Sequence, residues 1–215
     1  MSRFITFEGP EGAGKSTQIA LLAEYLTQQG YAVHCTREPG GTSIGDQIRR
    51  VLHDVANTQM NSVTEILLYS ASRAQLTAQV IRPLLAAGTI VLCDRYADST
   101  FAYQGYGRGL EMETLQTITR FATGGLKPDL TIFLDLPVEV GLSRKKEASE
   151  AGEGEFNRMD RLTVDFHRRV REGYLAMSRA EPQRWVVLDA CRPVDAIQSD
   201  IRRALHTIGL GKTEP

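Results

Sequence analysis

Short runs of consecutive apolar residues recur along the chain, separated by segments whose apolar positions fall every three or four residues. The first run, Arg3–Glu8 (RFITFE), stops at a glycine-rich stretch. Beyond it, residues 16–29 place Ile19, Leu22, Ala23 and Leu26 at helical spacing, so strand, loop and helix follow in order. Four more runs predict strands at residues 31–36 (YAVHCT), 89–93 (TIVLC), 130–136 (LTIFLDL) and 185–188 (WVVL). Helical patterns fill the intervals at residues 43–54, 62–85, 111–122, 138 to about 146, 164–179 and 194–206. Short apolar strands separated by helices belong to a parallel sheet covered on both faces. The expected fold class is α/β, a doubly wound five-stranded parallel sheet.

Composition narrows the picture without changing it. The chain has 215 residues, 42% hydrophobic and 24% charged, which suits one domain over residues 1–208. A net charge of −1 excludes bulk attraction to nucleic acid or a membrane surface, so any anion site must be local. No apolar segment reaches the roughly 18 residues of a membrane span, and the first residues do not resemble a signal peptide. Three scattered cysteines without CxxC spacing and four histidines without ligand spacing predict neither disulfide nor zinc site. The chain reads as soluble and cytoplasmic. Residues 147–156 (EASEAGEGEF) have no apolar face and predict a mobile loop within a lid at about 143–161; residues 209–215 (GLGKTEP) are expected to fray.

The glycine-rich stretch carries the first chemistry. Gly9, Gly14, Lys15 and Ser16 satisfy GxxxxGK[ST] between a strand and a helix, the context a phosphate loop requires. Backbone N–H groups over residues 9–17 (Gly9, Pro10, Glu11, Gly12, Ala13, Gly14, Lys15, Ser16, Thr17) would curl around the phosphates, the helix would aim its positive end at them, and Lys15 would reach the terminal phosphate. Ser16 would hold Mg²⁺. A carboxylate, Glu11, stands inside this anion cradle.

The loop alone does not separate switches from kinases. The DxxG and NKxD elements of a GTPase switch are absent. The third strand instead runs into Asp94-Arg95-Tyr96, placing a carboxylate and a fixed cation where open α/β sheets bind ligands. Asp94 can support the metal through water and Arg95 can grip a second phosphate.

At this point the chain resembles bacterial thymidylate kinases, through FEGPEGAGKST, TREPGGT, LLYSASR, CDRYADSTFAYQGYGRG and LKPDLTIFLDL in this order. The resemblance runs from about residue 3 to residue 206 and implies P-loop nucleoside monophosphate kinase architecture with a mobile lid. It implies phosphorylation of dTMP to dTDP with ATP and Mg²⁺, and a homodimer. The residues agree independently with a monophosphate acceptor. With a second pKa near about 6, a nucleoside monophosphate is already largely dianionic at neutral pH and needs no base. Repulsion between two anions instead calls for cations, and Arg37, Arg73, Arg95, Arg108, Arg144 and Arg158 supply them.

Tyr69 and Arg73 share one helix face, and spacing alone favours a core ring and a solvated charge over a stacking ring and a base donor. The resemblance implies that Tyr69 stacks on thymine and Arg73 bonds its O4, that Thr100 and Gln104 read the base with Ser99 nearby, and that Tyr103 crowds the 2′ position. It also places Arg37 and Pro39 beside the acceptor, makes Glu38 a metal-water partner, carries Arg192 past the adenine, and directs Glu11 to the 3′-hydroxyl of dTMP. No arginine stands in the phosphate loop, so the resemblance implies a lid-arginine type whose catalytic cation is Arg144, Lys146 or Arg158. A pyrimidine monophosphate kinase of another specificity and a nucleotide switch without transferase activity remain the alternatives.

Overall fold

The computed structural model describes residues 2–152 and 156–210. Five strands, β1 (Arg3–Glu8), β2 (Val33–Arg37), β3 (Ile90–Asp94), β4 (Leu130–Asp135) and β5 (Trp185–Asp189), form one sheet in the order β2-β3-β1-β4-β5. Every neighbouring pair is parallel. Each predicted strand is present: β1 has the predicted ends, and no end of the others is displaced by more than two residues.

Side-chain alternation explains why both faces are covered. Ile5, Phe7, Ile90, Leu92, Ile132 and Leu134 point to one face, where they pack with α1 (Lys15–Gln28) and α9 (Val194–Ala204). Phe4, Val91 and Cys93 point to the other, against Leu76 and Ile81. Phe133 and Trp185 extend that second layer toward α8 (Val164–Ala180) through Phe166, Val170 and Tyr174. Full burial of each such side chain contributes about 1.5–3 kcal/mol, so a helix on each face lets a short strand stabilise twice.

The remaining helices are α2 (Ser43–His53), α3 (Ser62–Leu76), α4 (Arg82–Ala86), α5 (Ala97–Thr100), α6 (Met112–Thr123) and α7 (Val138–Glu150). Between α3 and α4 the chain passes through a wide π-helical segment, Thr77–Ile81, so the predicted helix over 62–85 is a continuous rod in three parts. A second wide segment, Phe101–Gly107, follows α5 and carries Tyr103 and Gln104.

Two expectations are corrected. Helix α7 continues through Glu150, so residues 147–150 are helical; Ser143 Oγ donates to Glu147 at 2.7 Å and Lys146 pairs with Glu150 at 3.8 Å, both one turn apart. Of the loop expected over 147–156, residues 153–155 lie outside the described residues. At the C-terminus Leu210 does not fray: it is 0% exposed, packs in the core and donates its N–H to Leu205 O at 3.0 Å. Residues 211–215 lie outside the described part.

β1 has β3 on one side and β4 on the other, while the chain visits β2 first. The crevice at the carboxyl ends of β1 and β3 is thus the reversal point at which open α/β sheets bind ligands.

Candidate active site

The loop after β1 owes its shape to close approaches. A Cβ on Gly9 would stand 2.5 Å from Leu134 O, so the chain crosses over β4 only with glycine there. A Cβ on Gly12 would meet Gly141 O at 2.5 Å, and one on Gly141 would meet Glu11 O at 2.5 Å. Two glycines thus let α7 lie directly on the phosphate loop. Lys15 is buried and donates to Gly9 O at 3.2 Å and Pro10 O at 2.9 Å; burial, with Arg95 nearby, pulls its pKa down. Ser16 Oγ donates to Asp94 Oδ2 at 3.1 Å. Residues 11–17 line a cavity of about 520 Å³, whereas Gly9 and Pro10 shape the loop from behind it.

The same cavity continues into an arginine-rich half holding Arg37, Glu38, Pro39, Tyr69, Arg73, Arg95, Ser99, Thr100, Tyr103 and Gln104. Arg95 has a left-handed backbone, φ 68°, an unfavourable state for a non-glycine residue, fixed by its N–H donating to Phe7 O at 2.9 Å. Its guanidinium donates to Glu11 Oε1 at 2.6 Å and lies 5.2 Å from the centre of the Tyr103 ring. Burial would raise the Glu11 carboxyl, but Arg95, Lys15 and Lys145 together hold it well below the usual carboxylate range. The carboxylate inside the cradle is therefore a counter-ion at the junction of the two halves.

Arg73 is 1% exposed and uses its fork three ways, donating to Glu38 Oε2 at 2.8 Å, Thr100 Oγ1 at 2.7 Å and Tyr96 O at 3.1 Å. Glu38, expected as a metal-water partner, is the counter-ion of Arg73; burial raises its pKa against that arginine, and its Oε1 is buried without a partner. Tyr69 is half-buried against the cavity, and Tyr103 Oη is buried without a partner. Gln104 Nε2 donates to Glu65 Oε1 at 3.0 Å, and Ser99 donates to Glu8 Oε2 at 2.6 Å. Arg37 stands at the rim, 3.5 Å from Asp46 and 57% exposed.

The cations expected to sit in a lid divide. Arg144 Nη1 lies at the phosphate loop, donating to Gly12 O at 3.5 Å and Ala190 O at 3.4 Å, and it lines the cavity with Lys145 and Ala148. Lys146 instead is 70% exposed beside Glu150 and lies outside the cavity wall. Arg158 donates to Glu65 Oε2 at 2.7 Å and Leu52 O at 3.0 Å, and Arg108 meets the same carboxylate oxygen at 2.9 Å. These placements give neither Lys146 nor Arg158 the expected position at the transferring phosphate. Arg192 pairs with Asp200 at 2.6 Å and is not in the cavity wall either.

Residues not anticipated as site residues are Lys145, Ala148, Arg49, His53, Asn157 and Met159, which line the cavity, and the buried carboxylates Glu65 and Glu8 beneath it. Lys145 was legible: Gly141, Arg144, Lys145 and Ala148 follow the i, i+3, i+4, i+7 stripe of one helix face, and Lys146 falls off it. Glu65 left no signal, because its partners come from residues 104, 108 and 158.

A sequence-family model described as thymidylate kinase matches residues 7–201. A thymidylate kinase of Roseiflexus castenholzii is 52% identical over 209 residues, covering 94% of this chain and 91% of the relative. One of Deinococcus radiodurans is 52% identical over 206 residues, covering 96% and 97% respectively. The crystal structure of a thymidylate kinase from Ehrlichia chaffeensis superposes with a TM-score of 0.76 at 31% identity, covering 95% of this chain and 98% of that one.

Proposed function

The chain belongs to the thymidylate kinase family and phosphorylates dTMP, and from that premise we propose that ATP is the donor, bound at residues 11–17, with dTMP in the arginine-rich half of the same cavity. One observation carries this reading: a phosphate loop and an arginine-lined pocket open into a single space, with Glu11 and Arg95 paired at their junction. In-line transfer needs the two phosphates close together, and cations at that junction offset their repulsion.

Lys15 holds the terminal phosphate of ATP and Arg95 the phosphate of dTMP. The carboxylate of Glu11, released from Arg95 as the acceptor phosphate arrives, accepts the 3′-hydroxyl of dTMP. Tyr69 and Arg73 take the thymine ring, Arg73 already braced by Glu38 and Thr100. Thymine differs from uracil by one methyl group, worth about 1–3 kcal/mol, so dUMP is a weaker acceptor rather than an excluded one. Arg144, with Lys145 beside it on the stripe of α7 that meets the loop, supplies the lid cation.

A hydroxyl and a carboxylate 3.1 Å apart, Ser16 and Asp94, are hard oxygen donors of the kind Mg²⁺ takes, Ser16 directly and Asp94 through water. The ion would neutralise charge on the phosphates. No helix of the described residues is long and apolar enough to cross a membrane, and the three cysteines are free thiols, which favours a cytoplasmic setting. A homodimer suits the apolar side chains on the outer faces of α2 and α3, where Ile44 is 51%, Val63 56% and Leu67 53% exposed.

The test is coupled ADP release over dTMP, dUMP, CMP, AMP and thymidine. dTMP gives the highest kcat/KM and dUMP a lower one; stimulation by thymidine alone would overturn the reading in favour of a nucleoside kinase, and a preference for CMP in favour of another pyrimidine kinase.

A further inference from the structure

Beneath the acceptor half lies a carboxyl group that phosphoryl transfer does not use. Glu8, the last residue of β1, is 0% exposed. Its Oε1 accepts the Tyr96 N–H at 2.8 Å, and its Oε2 accepts from Ser99 Oγ at 2.6 Å and from Tyr174 Oη at 2.8 Å. The two hydroxyl oxygens are 2.9 Å apart, so three oxygens close a triangle. A hydroxyl brings one proton and two acceptor sites. With Glu8 ionised, two protons serve three edges and one edge has none. A proton on Oε2 completes the ring: Glu8 donates to Tyr174, Tyr174 to Ser99, and Ser99 back to Glu8. Tyr174 Oη then still has a lone pair for Arg95 Nη1, 3.3 Å away.

We propose that Glu8 is a positioning residue for the acceptor phosphate: protonated, it closes the Glu8–Tyr174–Ser99 ring and holds Tyr174 as a fixed acceptor for Arg95; ionised, it draws both hydroxyls to itself and sets a second carboxylate behind Arg95, in competition with the incoming phosphate. The inference rests on the reading of Arg95 as the acceptor clamp.

Burial, then the neighbouring Asp98, raise the Glu8 carboxyl to about 7 against the opposing pull of Arg95, Ser99 and Tyr174, so both states are populated near neutral pH. The charged and titratable groups around it are Arg95 and Cys93 from the β3 end, Asp98 from α5, Tyr174 from α8, Lys15 from α1 and Arg73 from α3. Asp98 is itself held by Arg184 at 2.6 Å, and Arg73 by Glu38.

The experiment measures KM for dTMP at saturating ATP from about pH 6 to about pH 8.5 on the whole enzyme, corrected for the separately measured ionisation of dTMP. In the wild type KM rises about tenfold across the range, the change that accompanies one pKa unit of coupling, while kcat moves less. Glu8→Gln flattens the rise, and Tyr174→Phe, which removes a donor to the carboxylate, moves its midpoint upward. Coincident profiles for the wild type and Glu8→Gln overturn the proposal. Carbon-13 NMR titration of the Glu8 carboxyl in the wild type decides the matter if Glu8→Gln does not fold: a midpoint near 7 that Tyr174→Phe raises supports it, and an ordinary carboxylate value overturns it. A wild type that never turns over dTMP would overturn the acceptor reading instead, with the carboxyl titration still reporting on the ring.

Discussion

Lys146 and Lys145 are neighbours in sequence, yet only Lys145 lines the cavity, because one step along a helix turns a side chain by about 100°. Arg144→Ala should therefore lower kcat by on the order of 10³, the effect of removing an arginine finger, whereas Lys146→Ala should leave kcat within about threefold, as steady-state rates with dTMP will show. Arg158 belongs to a different kind of residue. It shares Glu65 with Arg108 and Gln104, and so ties the segment expected to form a lid to the side chain expected to read the base. Arg158→Ala should raise KM for dTMP more than it lowers kcat; the reverse split would return Arg158 to the transition state. The cradle residues and Arg95 were readable because motif and strand end coincide in sequence. The partners of Glu65 and Glu8 were not, since hydrogen bonds between residues 8, 99 and 174 leave no local periodicity.

At the level of elements, the five strands and the large helices follow from apolar runs and helical spacing, and the errors fall where composition misleads. The polar end of α7 has no apolar face, but one-turn contacts and packing of its inner stripe on the loop keep it helical. That packing depends on Gly141. Gly141→Ala places a methyl group 2.5 Å from Glu11 O, so α7 must move off the loop. The expected result is a loss of about 1–3 kcal/mol in a denaturation experiment together with a fall in kcat, because Arg144 moves with the helix. The left-handed Arg95 is an element-end device of the same kind, aiming a guanidinium back across the crevice.

For the whole molecule, one buried carboxyl ties stability to pH. Glu8 is raised in the folded state by burial and by Asp98, so its contribution is full below the ordinary carboxylate value of 4.5 and is lost as pH rises to about 7. Wild type should thus lose stability relative to Glu8→Gln across that window, as thermal melts at successive pH values will show. The apolar faces of α2 and α3 predict a second copy: Leu67→Glu should shift the molecular mass measured by light scattering from dimer to monomer.

In the proposed arrangement one cavity brings the terminal phosphate of ATP to the phosphate of dTMP. Incubation with ATP labelled in its γ-phosphate and with dTMP, followed by separation of the nucleotides, tests it directly. Label should appear in dTDP, be abolished by Lys15→Ala and be strongly reduced by Arg95→Ala; label released only as inorganic phosphate would mean that the two phosphates do not meet in this cavity.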